Sequence, residues 1–526
     1  MSLTSFGFFA FLLSLLAVYY LVPKRFQWAV LLAGSLVFYS FTGLRNLAYI
    51  GITAASSWLA AMKMSDIAVS QRAYFKENKA TLTREDKAAI KAANGRKRKA
   101  ILTLTLILNF GLLCAFKYLA FAMEQISALL RAFGGRGFDS MIRLAVPLGI
   151  SFYTFQTMGY VLDVYWEKAE PEKSFPKMLL FTCFFPQMTQ GPISNYQQLA
   201  PQLTAPHDFS YDNFARGAQR MIAGFAKKLI IADAAAPWVA DVYANFPSYS
   251  SWTVLIGMFA ASLQLYADFS GYMDIVCGAC EMLGIGLAEN FRRPYFSKSV
   301  SEFWQRWHMT LGQWFKNYIF FPVATAPWNV KLSKWLKKKC GTHVGVTAPM
   351  TVALLAVWFT TGLWHGASWG FIVWGLMNGA VIIFSVWMEP VYERCKTALH
   401  INSEGKGWKV FQMLRTFILI TFIERLPEVG TLGDGFRLWG KALSFSPLPH
   451  SIRELMPFLT GSSAIKVLGG AAVLFAVAVM QEKGELRDKF NRLPFACRIA
   501  VLSVLILASF YCCAAGSSGG FMYAQF

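Results

Sequence analysis

Charge is scarce in this 526-residue sequence: 15% of its residues are Asp, Glu, Lys or Arg, against about 25% in soluble globular chains. With 55% hydrophobic residues and a mean hydropathy of +0.41, the deficit excludes an ordinary soluble enzyme. No soluble-looking block interrupts the apolar runs, which recur from residue 5 almost to the end. One polytopic membrane domain over residues 1–526 is therefore expected, in place of the separate domains that about 150 residues each would suggest. Acidic residues are the scarcer sign, 29 against 50 Lys and Arg, giving a formal net charge of +21. The basic residues lie between apolar spans, which is the positive-inside pattern of a membrane protein and excludes a nucleic-acid partner.

Other absences narrow the reading further. Residues 1–22 hold no Lys or Arg, and no small-residue cleavage site follows the first apolar run. An uncleaved first span with its N-terminus outside is expected. Lipidation signals are missing, since Ser2 is not Gly and the chain ends in Ala-Gln-Phe. Most of the nine cysteines sit in apolar runs (Cys114, Cys183, Cys277, Cys512, Cys513) and read as small core hydrophobes. Cys277 and Cys280 have redox-motif spacing but no second pair, so neither a zinc site nor any other metal site is expected.

What is present is a succession of spans. A membrane-crossing helix takes about 20 apolar residues, which places candidates at 5–22, 27–43, 46–62, 100–122, 144–166, 214–236, 252–287 (long enough for two tilted or broken pieces), 347–363, 368–388, 408–424, 464–480 and 496–514. The fold class is all-α, a polytopic bundle of about 11–13 helices. Segments 63–99, with 11 Lys/Arg against 4 Asp/Glu, and 325–346, with Lys331, Lys334, Lys337, Lys338 and Lys339, are expected to be cytoplasmic loops. Segments 177–193 and 300–322 are too short or too polar for ordinary spans. They read as re-entrant or interfacial pieces lining a central cavity, where irregular backbone is tolerated.

Histidine is rare, with six in all: His207, His308, His343, His365, His400 and His450. His308 stands in Glu302-Phe-Trp-Gln-Arg-Trp-His308 and His365 in Thr361-Gly-Leu-Trp-His-Gly366. An ionisable residue inside a span is a functional candidate, the alternative being a hydrogen-bonded packing residue. An apolar setting keeps an imidazole neutral and able to take a proton from a hydroxyl, so His365 suits a general base. Gly362, Gly366, Gly370, Gly375 and Gly379 have the small-residue spacing of closely packed helices. Asp268 and Asp274 lie in an apolar stretch, where pairing with Arg292, Arg293 or Arg306, or capping of a helix break at Gly271, is expected. Two literal motif matches lack context: Gly516-Ser-Ser-Gly-Gly520 resembles a nucleophile elbow without a following helix, and His207 with Asp212 matches a soluble acyltransferase spacing within a Pro-bracketed loop.

Together these stretches resemble the membrane-bound O-acyltransferase family, and within it the alginate O-acetylation branch. They are Pro147-Leu-Gly-Ile-Ser-Phe-Tyr-Thr-Phe-Gln, Phe185-Pro186 with Gly191-Pro192, Asp268-Phe-Ser-Gly-Tyr-Met-Asp274, Asn290-Phe-Arg-Arg-Pro-Tyr, Glu302 to His308, and Gly362-Leu-Trp-His-Gly366, in the family's order. The terminal Phe521-Met-Tyr-Ala-Gln-Phe526 is similar to that branch as well. The resemblance implies a multi-helix fold around a cavity, with His365 as the catalytic histidine and His308 as a second functional one. Trp304, Arg306, Trp307, Trp364 and Asp268 are expected as cavity-lining or substrate-binding residues. It further implies transfer of an acyl group, acetyl foremost, from a cytoplasmic thioester (acetyl-CoA or an acyl carrier protein) for O-acetylation of an extracellular polysaccharide. An extracytoplasmic acyltransferase partner, a bacterial plasma-membrane location and no bound cofactor belong to the same expectation. The sequence departs from the family pattern at Lys316-Asn317 and at Val323-Ala-Thr-Ala-Pro-Trp, and its basic segment 63–99 is long. D-alanyl transfer to teichoic acid, or a polysaccharide or lipid transporter with a midplane cavity, are the competing readings.

The charge pattern generates a topology prediction. Single cysteines at Lys79 and Lys337, in a cysteine-free background, should resist an impermeant thiol reagent in intact cells and react after permeabilisation. Labelling of either from outside would reverse the orientation.

Overall fold

The computed structural model describes residues 3–138, 142, 144–447, 461–482, 484, 486–515 and 520–522. Among them the secondary structure is helical apart from one isolated bridge between Phe291 and Trp307. Six helices are long and apolar enough to cross a membrane: Arg84–Ala132, Ser251–Met282, Thr342–His365, Trp369–Trp387, Ile465–Glu482 and Phe495–Cys513. The apolar helix Phe6–Leu21 is shorter. The protein is thus an all-α polytopic membrane protein. The nine cysteines form no disulfide. His450 and Gly516 to Gly519 lie outside the described residues.

The chain packs as two compact units, one of residues 1–215 with 279–288 and the other of 216–278 with 289–526. In the first, the basic segment 63–99 is not a loop. It consists of the end of helix Leu44–Glu77, a tight turn, and the start of helix Arg84–Ala132. At about 1.5 Å per residue the 49 residues of the second helix reach about 70 Å, more than twice the roughly 30 Å hydrocarbon core. A strongly charged sequence can remain helical here because it extends beyond the apolar run. The turn is fixed by a capping box, in which Asp86 N–H donates to Thr83 Oγ1 and the Thr83 N–H donates to Asp86 Oδ2. Arg98 ties the basic end down, donating to Glu167 at 2.7 Å and to the Tyr165 carbonyl at 2.6 Å.

The 177–193 segment is broken as expected, into short helices Phe175–Cys183 and Phe185–Met188 followed by extended chain. Its freed backbone is satisfied internally: Ser35 Oγ accepts from the Phe185 N–H at 3.2 Å, and the Gln187 amide donates to the Pro192 carbonyl at 2.7 Å. Gly149 holds φ at +75°, and a Cβ there would lie 2.0 Å from the Met188 carbonyl oxygen. Only glycine meets both demands.

His207 is explained by packing in this unit. Its backbone N–H donates to Gln27 Oε1 at 2.8 Å, and its carbonyl accepts from Gln27 Nε2 at 2.9 Å. Its ring Nδ1 meets Tyr19 Oη at 2.9 Å. Burial lowers its pKa below the ordinary histidine value, which leaves it neutral at pH 7. Asp212 sits exposed in the first turn of the next helix, so the acyltransferase-like spacing is accidental.

The 252–287 stretch gives one unbroken helix, Ser251–Met282, which belongs to the second unit as far as Gly278. Gly271 is no break but a contact point: a Cβ there would sit 2.8 Å from the Gly224 carbonyl, and one at Gly278 would sit 2.5 Å from that of Gly217. The partner helix continues through a π-helical turn at Lys227–Ala232.

Two glycine substitutions test this description. Gly149→Ala combines a left-handed residue, costing about 1–2 kcal/mol, with a backbone collision, and should lower the melting temperature and membrane yield of the protein. Gly51→Ala, in helix Leu44–Glu77 with nothing within 4 Å of the added methyl, should leave stability unchanged or raise it by up to about 1 kcal/mol. Equal melting temperatures for the two variants would refute the Gly149 assignment.

Candidate active site

His365 is the last residue of helix Thr342–His365, and the chain turns at Gly366 into helix Trp369–Trp387. Ser368 caps that second helix by accepting from the Phe371 N–H. The glycine stripe brings the two helices together: a Cβ at Gly362 would lie 2.6 Å from the Phe371 carbonyl, and one at Gly375 would lie 2.4 Å from that of Trp358. The close approach leaves the imidazole within an aromatic frame. Its ring is edge-on to Trp364 and to Trp374, each at 4.7 Å between centroids, and stacked on Phe371 at 6.2 Å. His365 is 8% exposed.

His308 occupies the break between helices Val300–Arg306 and Met309–Phe315 in a left-handed conformation, φ 46° and ψ 50°. It is 2% exposed, and neither ring nitrogen has a hydrogen-bond partner among the described residues. Its ring is edge-on to Phe269 at 5.0 Å and to Trp364 at 5.9 Å. Trp364 therefore lies against both histidines.

His308 lies only about two dozen residues before the lysines of the basic stretch, whereas a whole span separates His365 from them, so sequence distance leads one to expect His308 nearer the basic side. The contact with Trp364 corrects that expectation. Helix Thr342–His365 has 24 residues and rises about 36 Å, yet His308 packs against Trp364 at its far end. The short segments Met309–Phe315, Lys316–Phe320 (π-helical) and Phe321–Ala324 cover the first part of the return, and helix Pro327–Cys340 covers the rest, Asn329 Nδ2 donating to the Pro349 carbonyl at 3.1 Å and Ser333 Oγ to that of Gly345 at 2.7 Å. The two histidines meet the same tryptophan.

The other candidates divide. Trp304 donates through Nε1 to Asn378 Oδ1 at 3.0 Å and packs edge-on to Trp374 at 5.6 Å, which makes it part of the frame around His365. Trp307 is core, stacked on Phe303 at 5.4 Å. Arg306 is engaged by Glu302 at 2.6 Å, one helical turn away.

Asp268 does not pair with an arginine. It meets Lys228 at 2.7 Å and accepts the Met522 N–H at 2.9 Å, while Lys228 also bonds Asp233 at 2.8 Å and the Gly520 carbonyl at 3.1 Å. Asp274 pairs with Lys227 at 2.6 Å and Arg220 at 3.0 Å. Lys227 and Lys228 both reach the same helix because they open the π-helical turn. Arg293 instead meets Glu482. Asp268 is adjacent to Phe269, so the buried ion pair fixes the helix that carries one wall of the His308 site.

Several residues of the site were not foreseen. Asn290 binds the chain beside His308, its Oδ1 accepting from the Thr310 N–H at 3.0 Å and from Thr310 Oγ1 at 2.8 Å. Arg425 is 0% exposed, donating through Nη1 to Tyr243 Oη and Glu428 Oε2 at 2.9 Å each. The neighbouring Glu424 carboxyl lies against the Trp374 indole. A signal for both acidic and basic groups stood in the sequence, as the run Glu424-Arg425-Leu-Pro-Glu428 closing an apolar span. Among the described residues no group of three His, Cys, Asp or Glu side chains could hold a metal ion.

Comparison with known proteins gives a likeness that spans these residues. A profile of the membrane-bound O-acyltransferase family matches residues 170–422, which include both histidines. The chain is 29% identical over 440 residues to a probable alginate O-acetylase of Azotobacter vinelandii, covering 83% of this chain and 77% of the relative. It is 30% identical to a peptidoglycan O-acetyltransferase of Helicobacter pylori, over 53% of this chain and 54% of that one. It is also 28% identical to a teichoic acid D-alanyltransferase of Bacillus subtilis, over 45% and 58%. The helical membrane architecture, the ordered motifs around His308 and His365, and these likenesses make the chain similar to the membrane-bound O-acyltransferases and support O-acyltransferase activity.

Proposed function

We propose that the protein transfers an acyl group, acetyl foremost, from a cytoplasmic thioester to a hydroxyl acceptor for O-acetylation of an extracellular polysaccharide. The observation that carries the reading is the pair of buried imidazoles that both pack against Trp364, within a frame of Phe269, Phe371 and Trp374. A thioester is already activated, so catalysis needs positioning and proton removal more than a new covalent intermediate. His365 takes the proton of the acceptor hydroxyl as its oxygen attacks the thioester carbonyl. The tetrahedral intermediate then collapses, the C–S bond breaks, and the departing thiolate recovers a proton from the imidazolium. His308, with uncommitted nitrogens, hydrogen-bonds the donor beside it. The aromatic walls keep water from competing with the acceptor.

The donor is acetyl-CoA or an acyl carrier protein reaching the site from the side of the lysine-rich end of helix Pro327–Cys340. The chain lies in a bacterial plasma membrane with its N-terminus outside, and an extracytoplasmic acyltransferase completes transfer to the polymer. The acetyl reading is supported by the longest matches, to probable alginate O-acetylases over 83% of the chain. The D-alanyltransferase likeness favours D-alanyl transfer as the second reading.

His365→Ala should abolish acyl transfer, a loss of at least the 10²- to 10⁴-fold typical of a general base, while leaving labelled donor bound. His308→Ala should weaken donor binding as well as turnover. Both are measured on purified variants of equal membrane abundance. Wild-type transfer by His365→Ala would remove the proposed mechanism, and tighter donor binding by His308→Ala would remove the donor-side role.

A further inference from the structure

We infer that Asn290 is a positioning residue for His308, supplying from a separate segment the helix cap that His308 would otherwise have to make and so releasing its imidazole for substrate. The inference rests on the substrate-facing reading of His308. His308 stands at the N-cap of helix Met309–Phe315, and its side chain makes no capping hydrogen bond. The first N–H groups of a helix have no partner within it, and at a buried N-terminus each one left open costs about 1–3 kcal/mol.

Asn290 closes that deficit across the chain. Its carbonyl accepts the Met309 N–H at 3.0 Å and its side-chain Oδ1 accepts both the N–H and the hydroxyl of Thr310. Asn290 is itself 1% exposed and anchored through Nδ2 to Met273 Sδ at 3.3 Å, on the helix that carries Phe269. On the other flank of His308 the Arg306 carbonyl accepts the Arg292 N–H at 2.9 Å. Residues 290–292 thus grip the chain before and after His308, while the histidine bridges the gap in a left-handed conformation that costs a non-glycine residue about 1–2 kcal/mol. Such a conformation persists where its surroundings over-determine it. With the cap met by Asn290, the ring packs against Phe269 and Trp364, and neither nitrogen has a hydrogen-bond partner among the described residues.

The test is a double-mutant cycle on the full-length protein, expressed in its host in place of the native copy and read as O-acetyl groups released by mild alkali from extracellular polymer. Membrane abundance is matched throughout. Asn290→Ala should lower O-acetylation roughly 10- to 100-fold, the scale of a reacting group displaced by about 1 Å. Thr310→Val, a milder change that removes one donor, should lower it about 3- to 10-fold. Neither should lower it further in a His308→Ala background. Full additivity with His308→Ala overturns the inference and makes Asn290 a plain packing residue. Where His308→Ala leaves no measurable turnover, the labelling rate of His308→Cys by N-ethylmaleimide, in a cysteine-free background, decides instead. Asn290→Ala or Thr310→Val should change it by about threefold or more, and an unchanged rate overturns the inference. Wild-type O-acetylation by His308→Ala is a different failure: it rejects the role of His308 itself, and the inference falls with it.

Discussion

Every polar group that this chain takes into an apolar region has to find its partner within the protein, because hydrocarbon offers none. The rest of the structure follows from how that demand is met. Lys228 and Asp268 pair at 2.7 Å and gather Asp233 and the backbone of Gly520 and Met522 around them. Arg425 is wholly buried yet joined to Glu428 and Tyr243. Broken segments at 177–193 and 300–324 keep their freed backbone bonded to neighbouring side chains. Removing one member of such a pair costs far more than the pair contributes, since a lone buried charge remains. Ion pairing here fixes position more than it adds stability.

That economy has exceptions, among them Gln190 and His308, each with both side-chain polar atoms buried and without a hydrogen-bond partner among the described residues. The chain elsewhere spends Asn290, Gln27 and Gln187 on satisfying backbone. Open nitrogens in an apolar frame are what an incoming thioester or hydroxyl would require. His365, one tryptophan away, lies at the end of a helix whose glycines press it against its neighbour. The proposed acyltransferase site is thus built from a helix hairpin, a broken segment and the aromatic side chains between them.

Much of this was readable in the sequence. Apolar runs gave the long helices, because burial in lipid demands length and hydrophobicity that nothing else in the chain resembles. The Gly362 to Gly379 spacing gave the close helix pair, and the company of His308 and His365 marked both. Three features were not readable, each for a physical reason. Segment 63–99 carries enough charge to look like a loop, yet helix propensity and a Thr83–Asp86 cap continue two helices past their apolar parts. Asp268 looked to arginines nearby in sequence, but a π-helical turn 40 residues earlier aims Lys228 at it. His308 was placed by sequence distance from the lysines, whereas the broken segments that follow it and helix Pro327–Cys340 together run back along helix Thr342–His365 before its lysine-rich end is reached.

The central claim is that one site holding His308 and His365 joins a thioester donor to a hydroxyl acceptor. Proteoliposomes containing the protein in known orientation, with radiolabelled acetyl-CoA or acetylated carrier protein on one side and acceptor on the other, test it most directly. The account predicts release of free thiol matched by label in acceptor ester, from donor on the Lys337 side alone, and loss of both with His365→Gln. Movement of polysaccharide or lipid without thiol release, or acyl transfer unaffected by His365→Gln, would contradict it.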